Sequence, residues 1–240
     1  MDYVYTNIIT RHVMLLFKMI KRLYFVFPLF ALLFVCKVSF ANSSYEIAYP
    51  ELNKLAQIDT HGEKVSLSQL PNPYNVLLTQ PLMTKAIEKY YDRSAIIKTI
   101  EAHIEQSGNI YHRSIIMLVD RNKARNKPDI AQTKKEAIVA ELAFITINFD
   151  ELPKELVNDV LHTNIPFGKL LTQYQVQVLT QDRSYFKVSC SETLAALISC
   201  PLNNPVYGRT NTIIRADNKK WLAHVIEILP NPVHGQANHK

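Results

Sequence analysis

The chain has 240 residues, of which 48% are hydrophobic and 20% are charged, a composition that suits one globular domain. It excludes a disordered chain, a collagen-like chain and a multi-pass membrane protein. The net charge is +6, but residues 1–41 hold five basic side chains and one acidic one, so the remainder carries 22 basic against 20 acidic groups, a net +2. A body this close to neutral lacks the basic footprint of a nucleic-acid-binding protein.

The first 41 residues are organised like a secretory signal peptide, with Met19 as an alternative start. Lys21 and Arg22 precede a run of thirteen apolar residues, 23–35, and small residues near its end place cleavage after Ala41. Thirteen helical residues span about 20 Å, too short for a hydrocarbon core of roughly 30 Å. We therefore expect a periplasmic or secreted chain. An uncleaved inner-membrane anchor is the alternative, and it is the only membrane contact that we expect.

Two cysteines, Cys190 and Cys200, lie beyond this segment and are separated by nine residues. In an oxidising compartment this spacing predicts a disulfide, which adds about 3 kcal/mol in the chain-entropy account of a short closed loop. Two buried free thiols are the alternative.

Residues 42–75 are polar and contain prolines, so we predict an N-terminal arm there. The main domain is predicted over residues 76–230 and is followed by a polar tail at 231–240. Its first part has helical spacing of apolar residues, which predicts one or two short helices. Thr84 is the candidate cap of a helix that starts near Lys85.

Three runs rich in β-branched and aromatic residues come next, and each predicts a strand, the last two forming a hairpin. The runs are Ile96–Ile104, Tyr111–Val119 and Ala137–Ile147. The connection from Arg121 to Lys135 holds six basic residues and one acidic residue. We interpret it as a solvated hairpin tip, with a site for an anion or a lipid headgroup as the alternative.

The C-terminal half predicts one further helix and more strands. Asp150 opens the helix with an acidic first turn and a proline near its start. Its expected buried stripe is Leu152, Leu156, Val157, Val160 and Leu161. Strand-like runs follow at 174–179 with 185–188, at 212–215 and at 221–229. The sum is an α+β domain with an antiparallel β-sheet and a few helices packed on it.

Several common site signatures are missing from the sequence: GxGxxG, the P-loop, GxSxG, HExxH and a clustered Cys/His metal pattern. Five glycines leave little room for phosphate-binding loops, and the eight histidines are scattered. We therefore predict no metal, no organic cofactor and no nucleic-acid partner.

Three features place a charge or a backbone irregularity inside apolar sequence: Arg113, the turn at 165–168, and Glu227. Burying either charge alone costs several kcal/mol, so each side chain must point outward, pair with the other or meet a ligand. Together they are candidates for binding a small anion. Each one taken alone suits an exposed or ion-paired residue.

Four sequence blocks, in this order, resemble the chorismate lyase-like family over residues 76–230. The blocks are Leu77-Leu78 with Met83-Thr84-Lys85 and Glu88, Arg113 with Ile115-Ile116-Met117-Leu118, Pro166-Phe167-Gly168-Lys169-Leu170-Leu171, and Gly208-Arg209 with Glu227-Ile228-Leu229-Pro230. The resemblance implies the chorismate lyase-like fold, which agrees with the α+β prediction.

By this resemblance, Arg113 clamps a carboxylate, the backbone N–H of Phe167 beside Gly168 holds another polar end of the ligand, and Glu227 meets a ring hydroxyl. Arg209 is a second candidate anion contact, with a salt-bridged surface arginine as the alternative. The family's reaction splits chorismate into 4-hydroxybenzoate and pyruvate without metal or organic cofactor, which implies catalytic roles for Arg113 and Glu227. The chemistry is consistent, because a guanidinium matches a carboxylate and a desolvated carboxyl group suits proton transfer.

The chain departs from the family in its longer basic hairpin after Arg113, in Phe167 where leucine is usual, and in the cysteine-containing segment before Gly208. Export also separates the protein from chorismate, a cytoplasmic compound. Two hypotheses follow: a carbon–oxygen lyase acting on chorismate or a related enolpyruvyl ether, and an exported protein that binds a small aromatic carboxylate without reaction. In a third, the basic hairpin docks on an acidic partner or a membrane surface. We expect a monomer.

Overall fold

Seven antiparallel strands form one sheet in the computed structural model of the chain, which describes residues 62–231. The strands are β1 (Glu63–Val65), β2 (Ala95–Ile104), β3 (Ile110–Asp120), β4 (Ala137–Asn148), β5 (Val178–Ser189), β6 (Pro205–Arg215) and β7 (Trp221–Leu229). Across the sheet they run in the order β1, β5, β6, β7, β4, β3, β2. This sheet, with helices packed on it, confirms the predicted α+β class.

Within the described residues, six short α-helices connect or cover the strands. They are α1 (Tyr74–Leu77), α2 (Met83–Tyr91), α3 (Pro128–Thr133), α4 (Lys154–His162), α5 (Phe167–Gln173) and α6 (Glu192–Ile198). Two 3-10 turns lie at Leu67–Gln69 and Phe149–Glu151. Local sequence fixes some of the ends: the hydroxyl of Ser191 accepts from the backbone N–H of Leu194 at 3.2 Å and so caps α6.

The two faces of the sheet carry different layers, because successive side chains of a strand point to opposite faces. Helices α1, α2, α4 and α5 cover one face, which we call the helical face. On the central strands this face carries Ile115, Ala143, Ile145 and Val225, which belong to one core cluster with apolar residues of these helices. Helix α6 covers the other face, where a second cluster includes Phe144, Phe186, Leu194, Ile226 and Ile228.

The predicted strands of the central sheet agree with the structure. Strands β2, β3, β4 and β7 begin and end within one residue of the predicted runs, and β3 and β4 form the predicted antiparallel pair. Strand β7 is buried on both faces, as its sequence pattern indicates. Strand β6 is longer than predicted and begins at Pro205. Runs of β-branched residues therefore located four strands to within one residue, including the edge strand β2, whereas in the interior strand β6 they marked only the last part.

Several local predictions were wrong. Thr84 does not cap a helix, because α2 already begins at Met83 and Thr84 is buried inside it. Tyr174 ends α5, and β5 is one strand from Val178 to Ser189. Leu161 is 37% exposed on α4, whereas Leu156 and Val160 are buried and Val157 packs against the core as predicted. In each case helix packing, which local spacing does not record, decided the outcome.

The predicted N-terminal arm contributes structure where it is described. Residues 63–65 pair with β5 as the edge strand β1, and a 3-10 turn and the start of α1 follow within 67–75. The predicted signal peptide at 1–41 and residues 232–240 of the predicted tail lie outside the described residues, so export and cleavage after Ala41 stay predictions. Between residues 62 and 231, the helices are too short or too polar to cross a membrane.

Candidate functional site

A cavity lies between the helical face of the sheet and the first residues of α2 and α5. Its empty volume is about 450 Å³, including the open space at its mouth. The lining is largely apolar, and its polar side chains are Thr84, Arg113, Glu141 and Glu227. A largely apolar cavity with a few placed polar groups is the usual form of a small-ligand site. Within residues 62–231 no group of three or more His, Cys, Asp or Glu side chains is arranged to hold a metal ion.

Strand register explains why Arg113 and Glu227 reach the same cavity. Arg113 on β3 lies opposite Ile145 on β4, whereas Glu227 on β7 lies opposite Ala143 on β4. Positions 143 and 145 are on the same face of β4, so both charged side chains point to the helical face. With a rise of about 3.3 Å per residue and about 4.8 Å between strands, their backbones are about 12 Å apart.

Arg113 is 2% exposed and has incomplete hydrogen bonding. Its Nη1 donates to the backbone oxygen of Val160 in α4 at 3.2 Å, while Nε and Nη2 have no partner among the described residues. Those two donors share one edge of the planar guanidinium, which is the edge that pairs with both oxygens of a carboxylate. Burial lowers the pKa of Arg113 to about 10, so the group stays positively charged at neutral pH.

Glu227 pairs with Arg209 and not with Arg113. The Nε of Arg209 donates to Oε2 of Glu227, and its Nη1 donates to the backbone oxygens of Leu78, at 2.9 Å, and of Gln80. Arg209 is 1% exposed, so it is salt-bridged but lies in the core and not at the surface. It therefore fixes both Glu227 and the chain segment just before Pro81 and Leu82, which line the cavity.

Glu141 on β4 is a lining residue that sequence analysis missed. It is 1% exposed, and burial raises the pKa of its carboxyl well above 4.5, with the neighbouring Glu227 carboxylate as the second cause. A signal for it was present, because Glu141 interrupts the apolar run 137–147 just as Arg113 and Glu227 interrupt theirs. The cavity thus contains two carboxyl groups where the sequence analysis expected one.

The turn at 165–168 is the start of α5, and it brings Phe167 and Gly168 to the cavity. Phe167 is the first helical residue, so its N–H has no acceptor within the helix. A Cβ atom at Gly168 would lie 3.1 Å from Oγ1 of Thr84, a tight contact, so glycine lets α5 approach the first turn of α2 closely. This close approach forms one wall of the cavity.

Asn211 on β6 is a second buried polar residue that the sequence analysis missed. It is 2% exposed, and neither Nδ2 nor Oδ1 has a partner in the described part of the chain. It lies opposite Val225 and two positions from Ile213, which both line the cavity. Its amide therefore holds an unused donor and an unused acceptor beside the lining residues.

The two cysteines form the predicted disulfide. Cys190 and Cys200 are bonded, with their Cα atoms 6.1 Å apart, and both are buried in the cluster on the face opposite the cavity. The bridge joins the two ends of the segment that carries α6. The disulfide therefore holds the layer behind the sheet and takes no part in the cavity.

The basic hairpin between β3 and β4 is more ordered than a solvated tip, because it contains α3. Arg125 pairs with Asp120 and Glu136, each at 2.7 Å, and Lys123 pairs with Asp92 at 2.6 Å. Two of its six basic side chains thus have carboxylate partners. Those pairs reduce the positive charge that the hairpin offers to an anion or a membrane.

Comparison with known proteins gives remote structural similarity. No protein-family model and no curated protein matches the chain. The chain is similar to PhnF from Mycobacterium smegmatis, with 8% identity and a TM-score of 0.42 over 64% of this chain and 65% of that one. It therefore spans just under two thirds of the length of PhnF. For the effector domain of PhnF, the identity is 8% and the TM-score is 0.42, over 63% of this chain and 89% of that one.

A third similar structure is a GntR-family transcriptional regulator from Enterococcus faecalis, with 10% identity and a TM-score of 0.36 over 56% of this chain and 93% of that one. At these identities and TM-scores, the similarities support no conclusion about a ligand or an activity of this chain. The cavity itself is therefore the basis for assigning a function.

Proposed function

We propose that the chain binds a small aromatic or enolpyruvyl carboxylate in this cavity, with Arg113 as the carboxylate contact. The observation that carries the proposal is the state of Arg113, which is buried and charged and has two free donors on one edge. A buried charge without a counterion is costly, and a bound carboxylate supplies that counterion with two charge-assisted hydrogen bonds.

The apolar lining supports a ligand with a flat ring-like body. Met83, Ile115, Met117, Ile145 and Phe167 all line the cavity that Arg113 also lines. Thioether and aromatic side chains pack favourably against rings, and aliphatic side chains exclude water from the contact. The N–H of Phe167 and the carboxyl groups of the cavity are available for a second polar group of the ligand.

The test is calorimetric titration of the purified full chain with 4-hydroxybenzoate. We expect Arg113→Met to weaken binding by at least ~100-fold, because a charge-assisted contact in a buried site is lost. Arg121→Met, which removes an exposed arginine of the basic hairpin, is the matched control and should bind as the native chain does. Equal affinity of the native chain and Arg113→Met would show that the carboxylate is held elsewhere or not at all.

The two carboxyl groups favour a second candidate function, the elimination of pyruvate from chorismate. That reaction breaks one carbon–oxygen bond and moves one proton from the ring to the leaving enolpyruvyl group, giving 4-hydroxybenzoate and pyruvate without water. Glu227 is held in place by Arg209 and is suited to accept the proton, while the raised pKa of Glu141 suits an acid. Aromatisation drives the reaction, so orientation and one acid–base pair suffice.

This second candidate is tested by incubating the chain with chorismate and following pyruvate. Glu227→Gln should abolish turnover while 4-hydroxybenzoate still binds. A native chain that binds 4-hydroxybenzoate but releases no pyruvate above the uncatalysed background rejects the lyase and leaves the binding function in place.

A further inference from the structure

Three ionisable side chains, Arg113, Glu141 and Glu227, line the cavity, and they differ in whether their charge has a partner. Arg209 and Glu227 form an ion pair, whereas Arg113 and Glu141 have no ion-pair partner among the described residues. Glu141 lies opposite Met117, four positions along β3 from Arg113. Their backbones are therefore about 14 Å apart, too far for one to serve as the close counterion of the other.

Glu141 and Glu227 lie close enough to share a proton. Glu227 is opposite Ala143, two positions along β4 from Glu141, so their backbones are about 8 Å apart and both side chains point to the helical face. Two ionised carboxylates are both acceptors, so a hydrogen bond between them needs a proton. Buried polar atoms in folded proteins are almost always hydrogen-bonded. A proton on Glu141 makes it a donor to Glu227, and both burial and the charge of Glu227 raise the pKa of Glu141 in the direction that retains this proton.

We infer that Glu141 is neutral in the folded chain and that the cavity selects singly charged ligands, namely monocarboxylates whose second polar group donates a hydrogen bond. With Glu141 neutral and Glu227 paired to Arg209, Arg113 keeps the one unmatched charge of these four. One carboxylate neutralises it. A second carboxylate near Glu227 would meet a negative charge without a counterion of its own.

The hydrogen bonds of Glu141 determine that the second polar group of the ligand is a donor. The proton lies between Glu141 and Glu227, and Oε2 of Glu141, which is buried with no partner in the described residues, is left as an acceptor in the lining of the cavity. A ligand hydroxyl or amide N–H satisfies it. Chorismate carries two carboxylates, so this inference counts against the lyase candidate. It rests on the proposed function in that Arg113 is taken as the carboxylate contact.

The first test compares two ligands of nearly the same shape and different charge. Terephthalate has a carboxylate at each end, while 4-carbamoylbenzoate replaces one of them by a neutral amide that donates. By calorimetry with the full chain at neutral pH, we expect 4-carbamoylbenzoate to bind at least ~10-fold more tightly than terephthalate. Terephthalate binding equally well would overturn the inference and leave the proposed carboxylate site intact.

The second test separates the two glutamates. Glu141→Gln replaces a neutral acid by a neutral amide and changes no charge, so it should not raise the affinity for terephthalate relative to 4-carbamoylbenzoate, even where it weakens the binding of both. Glu227→Gln removes a negative charge, so the relative affinity for terephthalate should rise at least ~10-fold. A shift toward terephthalate in Glu141→Gln as large as in Glu227→Gln would mean that Glu141 is ionised, and the inference would be wrong.

A third measurement needs no ligand and no substitution at Glu227. The infrared difference spectrum between the native chain and Glu141→Gln at neutral pH should contain the carbonyl band of a protonated carboxylic acid, lost in the variant. Absence of that band overturns the inference. If the band is present but 4-hydroxybenzoate, 4-carbamoylbenzoate and terephthalate all fail to bind, the proposed carboxylate function is what fails.

Discussion

Two arginines on the helical face, three strands apart, are equally buried and differ in what surrounds them. Arg209 on β6 has a carboxylate and two backbone oxygens as partners. Arg113 on β3 has one backbone oxygen, and two of its donors face no partner in the described residues. Burial alone therefore does not distinguish an arginine that supports the fold from one that binds a ligand. The difference lies in whether its donors are satisfied.

The surroundings of the two arginines therefore have different roles. Around Arg209, charge and hydrogen bonds are balanced within the protein. Around Arg113 they are not, and a buried unpaired charge persists in a folded protein only when something offsets its cost. Replacing each arginine in turn tests this contrast.

The largest expected effect follows Arg209→Met. The substitution leaves Glu227 buried without its counterion and leaves the backbone oxygens of Leu78 and Gln80 without their donor. Removing one partner of a buried pair typically costs about 3–5 kcal/mol, and we expect a loss of that size in the free energy of unfolding measured in urea.

The double variant Arg209→Met with Glu227→Leu serves as the control. It removes both charges, so it should be more stable than Arg209→Met alone. A loss of less than about 1 kcal/mol in the free energy of unfolding of the single variant would mean that Arg209 and its partners do not stabilise the fold.

A second effect depends on pH and comes from Glu141. Its pKa is raised in the folded chain, so below 4.5 both folded and unfolded chains hold the proton and stability is full. As pH rises toward the folded pKa, only the unfolded chain ionises, and stability falls by at most about 1.4 kcal/mol for each pH unit. Glu141→Gln cannot lose a proton, so its stability relative to the native chain should increase with pH.

The measurement is urea unfolding of both chains at about pH 4 and about pH 8, on either side of the ordinary glutamate range. Other groups titrate in both chains and cancel in the difference. A difference in stability that stays constant between the two pH values would show that the pKa of Glu141 is not raised by folding.

Sequence reasoning located strands β2, β3, β4 and β7 and the helical segment of α1 and α2, but it missed α3, α5 and α6, for a physical reason. The β-branched run in β3 carries its own signal, because a buried strand needs such residues along its whole length. Helices α3, α5 and α6 have six or seven residues each, too few to be stable alone, so their existence depends on the sheet that they cover. Local spacing cannot supply that information.

The same limit applies to the site. Arg113 and Glu227 were found because a charge inside an apolar strand stands out, and Glu141 carries the same signal without having been used. The pairing of Glu227 with Arg209 was not predictable, because it depends on β6 lying beside β7 and on their register. Local sequence thus identified candidate residues, whereas the partner of each one required the order of the strands.

The smallest expected change in the free energy of unfolding is that of Arg113→Met, and its sign is opposite to that of Arg209→Met. Arg113→Met removes a buried charge and two donors without partners, and methionine suits the apolar lining that already includes Met83 and Met117. An unsatisfied buried donor costs about 1–3 kcal/mol, while the single bond to Val160 and some packing are lost. We therefore expect the ligand-free chain to be unchanged in stability or more stable by about 1 kcal/mol. Urea unfolding of Arg113→Met and Arg209→Met side by side checks this expectation. If both variants lose the same free energy of unfolding, both arginines support the fold and Arg113 is not distinguished as a ligand contact.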